Sequence, residues 1–442
     1  MGWSPELFAG PAAVAIRAGV SGTTLARMGA RVIDGWRVSE TPSAMNYDPR
    51  AAETPVYRQA NIGQFRLALG DQHWATPRIT GRWCVQPDDV VLNKLAPVRA
   101  AFVTPNAKRH PVDGNSIIVR GLSRRAAAWL AVCLNQAGYE QLLVVESGVL
   151  KRVGLGALAS LQLPPAPPEM DTLAARLREI IDETTLVGER LHDVQTEALA
   201  EASLGDRPAT DLRGGHFFPG RAMTGDNWLP SWVALRAEHA TLDTENGWVA
   251  LADLASFDDR ARLGPVDDRA RSLRLSDVGE DLFVPSADQG LASEATGTRM
   301  LAKPLVPGEV LVSTLGSSFR AAYVDEEAPA HTHPIDGWVR LRFRETPAAW
   351  ALLLSTAPVR SQAARLTIGS VQQFVPPDAL RMLRLPTPPR EVRDRWQRAV
   401  ERHHAQRRAL DRRWSDLLVE LSSLFDAVHR PFRSRRATEV TP

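Results

Sequence analysis

One internal relationship constrains the fold more than any other feature: the chain repeats itself at an offset of 220 to 221 residues. PDDVVLNKLAPVRAAFV (87–103) matches PGEVLVSTLGSSFRAAYV (307–324), with Pro87 on Pro307, Asp89 on Glu309 and Leu95 on Leu315. After a one-residue insertion, Arg99-Ala100-Ala101-Phe102-Val103 falls on Arg320-Ala321-Ala322-Tyr323-Val324. Upstream, YRQANIG (57–63) aligns with LRLSDVG (273–279). Downstream, Asp113-Gly114 aligns with Asp336-Gly337, and Trp129 with Trp350 inside AAAWLAVCL and PAAWALLLS. LASLQLPPAPP (158–168) and LRMLRLPTPP (380–389) then each open a long helix-like segment. Ordered self-similarity of this kind predicts two copies of one module, each a globular part followed by a helix.

Composition agrees with several folded units. A chain of 442 residues, 44% of them apolar, is long enough for two to four cores. A charged share of 24% and a net charge of +2 exclude both a fully disordered chain and a histone-like polycation. Cys84 and Cys133 cannot build a disulfide framework or fill a four-ligand zinc site, and read as thiols of a reducing cytoplasm. The N-terminus lacks a positive n-region, Arg17 breaks its apolar run, and no stretch reaches about 20 apolar residues. Neither a signal peptide nor a membrane span is expected.

The fold class predicted is α/β: mixed α+β globular parts in two copies, with two long helices. VVLNKL and RAAFV, like EVLVSTL and RAAYV, are β-type runs around a turn, whereas AAAWLAVCLNQ and AAWALLLSTAPV favour helices. Prolines 164, 165, 167 and 168, and 386, 388 and 389, end each globular part in a stiff extended segment. The expected boundaries are 1–164, a helix in 165–204, a second globular part 205–386, a helix in 387–430, and a tail 431–442.

The first helix is predicted over about 169–202 with a heptad seam of Leu173, Leu177, Ile180, Thr184, Val187, Leu191, Val194 and Ala198. The second, over about 391–429, carries Val392, Trp396, Ala399, His403, Gln406 and Leu410, then Trp414, Leu417, Leu421, Leu424 and Val428 after a stutter. Segment 168–202 has 3 Arg and 9 acids; segment 390–430 has 10 Arg and 7 acids. Opposite net charge favours pairing with each other over self-pairing. Paired antiparallel, as a coiled coil roughly 50 Å long, the helices would act as a ruler between the globular parts.

This arrangement resembles the specificity subunit of type I restriction-modification systems. PDDVVLNK and PGEVLVST resemble that family's G-D-V-L-h-S turn, and LQLPPAPP and LRLPTPP its I-P-L-P-P-L-x-E-Q junction. YRQANIG and LRLSDVG resemble an early element of its target recognition domains. The departures are Met170 and Val392 where the junction glutamine is usual, Asp88 for the turn glycine that Gly308 keeps, and Ala96 against Gly316. The resemblance implies that each domain reads half of a split sequence in double-stranded DNA and that the helices fix the gap. It also implies docking of two DNA methyltransferase subunits, which carry the S-adenosylmethionine, and addition of a translocase-nuclease subunit in complete complexes. The chain itself would be non-catalytic and act in DNA modification and anti-phage defence. A specificity protein of a related phage-defence methylation system fits the same residues.

Phosphate contacts call for Arg, Lys or polar groups, and base reading favours Arg on guanine and Asn or Gln on adenine. The repeated β-turn offers Asn93, Lys94 and Arg99 in one copy and Ser313, Thr314, Ser317, Ser318 and Arg320 in the other. Arg58, Lys108, Arg109 and Arg274 are further candidates, while matched Trp129 and Trp350 read as core. A salt bridge common to both copies is the competing role for Arg99 and Arg320. On the helices, Leu186, Leu199 and Trp414 are candidate partner-facing residues.

Asn46-Tyr47-Asp48-Pro49 lacks the second proline and aromatic of an amide-methylation motif, and no phosphate-binding G-x-x-x-x-G-K-[ST] loop is present. Glu146 and Lys151 are too far apart for a nuclease E-x-K, and Gly154-Leu155-Gly156 reads as a turn. His331, His333, His403 and His404 lack further ligands at metal-site spacing. Ser203, Ser313 and Ser317 lack a nucleophile elbow. The expectation is no catalytic constellation, no metal and no cofactor in this chain. The alternative from another class is a duplicated protein-interaction scaffold whose DNA contact is incidental.

Overall fold

The computed structural model describes residues 22–36, 55–67, 81–95, 97–136, 139, 142–147, 150–201, 247–258, 270–278, 282–285, 301–314, 319–368 and 374–437. The fold is mixed α/β. The chain divides into two compact units, residues 1–185 with 413–442 (unit 1) and residues 186–412 (unit 2).

Unit 1 contains β1 (Thr23–Thr24), β2 (Arg31–Asp34), β3 (Val90–Asn93), β4 (Ala100–Phe102) and β5 (Ser116–Arg120), then helix α1 (Arg124–Leu134). A hairpin of β6 (Val144–Ser147) and β7 (Leu150–Val153), a short α2 (Leu155–Ala159), β8 (Gln162–Leu163) and α3 (Met170–Glu201) follow. Four strands form an antiparallel sheet in the order β2-β5-β3-β4. Every residue of β3 is buried, because the sheet is covered on both faces. Val90, Leu92, Ala100, Phe102, Ile117 and Val119 face α1 and the long helices, whereas Val91, Ala101 and Ile118 pack on Tyr57, Ile62, Val85 and Val112. That two-sided burial is why the strand reads as an unbroken apolar run. Helix α1 starts at Ser123, whose side chain accepts a bond from Ala126 N at 3.3 Å. It ends at Asn135, whose amide side chain pairs with both backbone groups of Ala100 at 2.8 and 3.1 Å and so ties the helix to β4.

Unit 2 contains β9 (Trp248–Ala250), α4 (Leu251–Leu254), β10 (Ala255–Asp258), β11 (Arg271–Leu273), β12 (Val310–Ser313), β13 (Ala321–Tyr323), β14 (Thr332–Pro334) and β15 (Trp338–Phe343). Helices α5 (Pro347–Leu354), α6 (Ala357–Arg365) and α7 (Pro377–Leu380), strand β16 (Arg384–Pro386) and helix α8 (Arg390–Ala437) complete it, the last continuing into unit 1. Its sheet runs β10-β15-β12-β13, antiparallel throughout. The strand order is that of unit 1, with β10 for β2, β15 for β5, β12 for β3 and β13 for β4. β12 is likewise buried on both faces.

The proline-rich junctions sit alike in both units: β8 pairs with β1, and β16 with β9, both antiparallel. Trp129 and Trp350 are core residues. The Trp129 indole N–H donates to Pro164 O at 3.1 Å, and Trp350 stacks on Phe343 with ring centres 5.6 Å apart. One predicted helix differs in extent. AAWALLLSTAPV breaks at Ser355-Thr356, where extended Thr356 begins α6 and Pro358 occupies its first turn. Proline is suited to that position, since its missing N–H has no helical partner there.

The long helices are Met170–Glu201 and Arg390–Ala437, against predicted extents of 169–202 and 391–429. Within unit 1, α3 and α8 run antiparallel: Arg176 bonds Glu420 at 2.6 Å, and Arg413 bonds Glu179 at 2.8 Å and also Glu183. Leu173, Leu177, Ile180, Leu417 and Leu421 are buried together there, with Trp414 and Leu424 partly buried against them. Thr184 lowers the seam's polarity by bonding back to Ile180 O at 2.7 Å. Within unit 2, Leu191, Ala198 and Trp396 share one core with Val194 packed on it; Val187 and Leu410 are also buried. Glu201 there accepts from Arg395 and, at 3.1 Å, from the Trp396 indole. Leu186 is exposed and Leu199 half-buried; Trp414 sits edge-on to Phe65 in unit 1 with ring centres 5.9 Å apart.

Candidate nucleic-acid interface

The turn that opens β3 and β12 is built identically in the two units. Asp88 and Gly308 both have positive φ, 65° and 85°, and their N–H groups donate to Val103 O and Val324 O. The next residue is a buried acid. Asp89 accepts from Gln86 N at 2.7 Å and Glu309 from Val306 N at 3.2 Å, closing the turn.

Each acid also meets a buried arginine 31 residues later. Arg120 reaches Asp89 with Nε at 2.9 Å and Nη2 at 2.7 Å; Arg340 reaches Glu309 with Nε at 3.0 Å and Nη2 at 2.6 Å. The remaining guanidinium donors hold a preceding loop. Arg120 donates to Cys84 O at 2.6 Å and Arg82 O at 3.4 Å, and Arg340 to Lys303 O at 3.0 Å and Pro304 O at 2.9 Å. Burial pushes the Asp89 carboxyl above its usual range, with the Arg120 bonds opposing that rise. Neither arginine was among the sequence candidates, although both lie at the 220-residue offset that relates Asp89 to Glu309.

Several predicted contact residues are engaged inside the protein. Buried Asn93 closes the β3–β4 turn: its Nδ2 donates to Leu95 O and Pro97 O at 2.5 and 2.8 Å, and its Oδ1 accepts from Arg99 N at 2.5 Å. Ser313 does the same in unit 2 through a 2.8 Å bond from Arg320 N. The Lys94 ammonium lies between Asp34 and Gly114 O, 2.6 Å from the latter, and Thr314 Oγ1 donates to Gly337 O at 3.0 Å.

The matched arginines differ. Arg320 donates to Leu275 O and Val278 O, both at 2.7 Å, and so holds the short 3-10 turn 275–277; Arg99 is exposed. No ion pair common to the two is present among the described residues.

Lys108 and Arg109 are exposed in one loop of unit 1. That loop is anchored by the buried Tyr57 phenol, which donates to Lys108 O at 3.1 Å and whose pKa burial pushes up to about 12. Half-buried Arg58 and exposed Arg274 open matched 3-10 turns, their N–H groups donating to Asn61 and Asp277 at 2.8 Å. Arg58, Lys94, Arg99, Lys108 and Arg109 belong to unit 1; Arg274, Ser313, Thr314 and Arg320 belong to unit 2. Ser317, Ser318, Ser203 and the 46–49 segment lie outside the described residues.

Beside β2 lies a concavity of about 730 Å³, lined by Arg31, Asp34, Arg82 and Trp83 among others, that no motif in the sequence signals. The Arg82 guanidinium stacks over the Trp83 ring at 4.7 Å.

Two of the histidines are engaged inside unit 2. His333 Nδ1 lies 2.8 Å from Leu301 O, and His404 Nδ1 lies 3.1 Å from Asp325, which also accepts from Arg408 at 2.7 Å. Among the described residues no group of His, Cys, Asp and Glu could hold a metal ion, and no helix is long and apolar enough to cross a membrane.

No protein-family model matches the chain, and no curated protein does. Over more than 90% of its length the chain is similar to solved specificity subunits of type I restriction-modification systems. The S subunit from M. genitalium is 10% identical over 93% of this chain and 95% of that one, with a TM-score of 0.30. The HsdS subunit from Thermoanaerobacter tengcongensis is 16% identical over 91% and 97%, with a TM-score of 0.24. A structure describing complex assembly and conformational transition of the type I R-M system is 15% identical over 94% and 98%, with a TM-score of 0.24.

Proposed function

We propose that this chain is a non-catalytic DNA-specificity subunit that reads a bipartite sequence in double-stranded DNA and directs partner methyltransferase subunits to it. The observation that carries the reading is the doubled frame: one strand order, one turn and one buried acid–arginine pair in each unit, each packed on long antiparallel helix segments. On this reading residues 1–164 and 205–386 are two copies of a target recognition domain, and 165–204 and 387–430 form a coiled coil that sets the spacer; 431–442 is a tail. The partner methyltransferases, two per chain, bring the S-adenosylmethionine, and a translocase-nuclease subunit can join. The work is cytoplasmic, in DNA modification and anti-phage defence.

Methylome sequencing of cells with and without this chain tests the reading, and an insertion tests the ruler. Four residues added near Val187 lengthen a helix by roughly 6 Å, about one or two base pairs at ~3.4 Å each. The spacer lengthens by that amount while both half-sequences persist. Replacing residues 1–164 with another module changes one half-sequence and leaves the spacer alone. An insertion that altered the half-sequences would sink this division of labour.

The second reading, an interaction scaffold, draws on the internal engagement of Asn93, Lys94 and Arg320. It predicts salt-sensitive DNA binding with no sequence preference, which the same experiments distinguish.

A further inference from the structure

We propose that the concavity beside β2 in unit 1 is a base-reading site, in which Arg82 recognises a guanine and Arg31 holds an adjacent phosphate. The inference rests on the specificity-subunit reading and assigns residues to it.

The site is pre-organised. Its loop is held at three places: Arg120 of β5 donates to Cys84 O at 2.6 Å, and in the segment before β5 Val112 N donates to Trp83 O and His110 O accepts from Val85 N, both at 3.1 Å. The Arg82 guanidinium carbon lies over the Trp83 ring, 4.7 Å from its centre, which restrains the side chain while it stays exposed. A planar donor fork fixed in this way loses little freedom when it pairs with the O6 and N7 of guanine. Arg31 is exposed at the same concavity, on edge strand β2. The acid that lines it, Asp34, is paired with Lys94, so the charges of the described lining residues sum to a positive value. Among the described residues neither Arg31 nor Arg82 has a carboxylate partner.

Unit 2 carries different chemistry on the same frame. Arg31 pairs with Arg120 across the sheet, and Asp258 pairs with Arg340 in the equivalent register. The loop held by Arg340 presents Lys303, whose ammonium lies 3.8 Å from Asp258. One unit therefore offers two arginines and a tryptophan where the other offers a lysine and an aspartate. A constant frame under variable rim residues is what two readers of different half-sequences need.

The test selects duplexes from a pool with randomised interiors on the full chain, sequences them, and repeats the selection with Arg82→Ala, Arg82→Lys and Arg31→Ala. Both side chains are exposed, and thermal unfolding checks that each of the three variants folds. Wild type is expected to enrich two half-sequences. Arg82→Ala should lose about tenfold or more of the preference at one guanine in one half, and Arg82→Lys most of it, because lysine keeps the charge without the fork. The other half and the spacer should not change. Arg31→Ala should weaken all duplexes alike and lower the salt slope by about one. Retention of the guanine preference within twofold in Arg82→Ala overturns the assignment while leaving the bipartite reading intact. Loss of both halves together in a folded Arg82→Ala also overturns it. If wild type enriches no bipartite sequence, the specificity-subunit reading itself fails and the site with it.

Discussion

Arg340 donates to both carboxylate oxygens of Glu309, with Nη2 at 2.7 and 2.6 Å, and neither side chain has appreciable exposure. Two desolvated charges add little net stability, but removing one leaves the other buried and uncompensated. Arg340→Ala should therefore lower the unfolding free energy by about 3–5 kcal/mol. Arg342→Ala, which removes only the half-exposed second partner of Glu309, should cost less than about 1 kcal/mol. Urea denaturation of both variants checks the contrast; equal effects would show that the buried pair is not the anchor.

The matched turn residues give opposite signs. Asp88 takes a left-handed conformation that glycine adopts freely, and its ion pair with the half-exposed Arg124 is long, at 3.5 Å, and weak. Asp88→Gly should stabilise unit 1 by up to about 1 kcal/mol, and Gly308→Ala should destabilise unit 2 by about 1 kcal/mol. An added Cβ at Gly308 meets open space, so that loss is purely conformational. Denaturant midpoints measured at constant m-value report both.

Apolar packing should outweigh surface charge in the helix pair. Leu177 is fully buried in the unit 1 core, and its replacement by Ala should cost about 2–5 kcal/mol. The Arg176–Glu420 bridge is 39% and 47% exposed on its two side chains, so Arg176→Ala should cost less than about 1 kcal/mol. The two variants are compared by urea denaturation in 0.15 M salt.

Asp325 makes unit 2 sensitive to acid. Burial pushes its carboxyl up, but hydrogen bonds from His404 and Arg408 outweigh burial and hold the pKa below the usual value of 3.8. A depressed folded pKa means that the unfolded chain binds the proton first as pH falls. The stabilisation is present above 3.8 and is lost as pH drops through the folded value. Asp325→Asn should reduce proton uptake on unfolding by up to about one in that window. Unfolding free energies from pH 5 down to pH 3 give the slope; an unchanged slope would count against the assignment.

Much of the fold was legible because the signals are local. The apolar runs 90–92 and 310–312 are strands buried on both faces, and Leu173, Leu177 and Ile180 recur at the spacing of one helix face. Turn chemistry was legible at Gly308, where the backbone needs positive φ, and its counterpart Asp88 shows the same conformation without the glycine. The break at Thr356 was missed because the alanine and leucine around it favour helix on both sides.

The candidate interface was legible only in part. Alignment of the matching segments determined which residues correspond, but correspondence does not decide what a side chain touches. Arg99 and Arg320 align, yet Arg320 caps carbonyls of a turn about 45 residues earlier in the chain while Arg99 reaches solvent. Lys94 looked available and lies instead on Asp34, 60 residues away in sequence. By itself the sequence determined which segments match at the 220-residue offset, the strands and the helix seams, because a short apolar run and a 3.6-residue period are set by neighbours along the chain. Only the tertiary structure decided which polar groups are engaged inside and which rim residues face out. A buried donor must find its acceptor wherever the fold brings one, and those acceptors are distant in sequence.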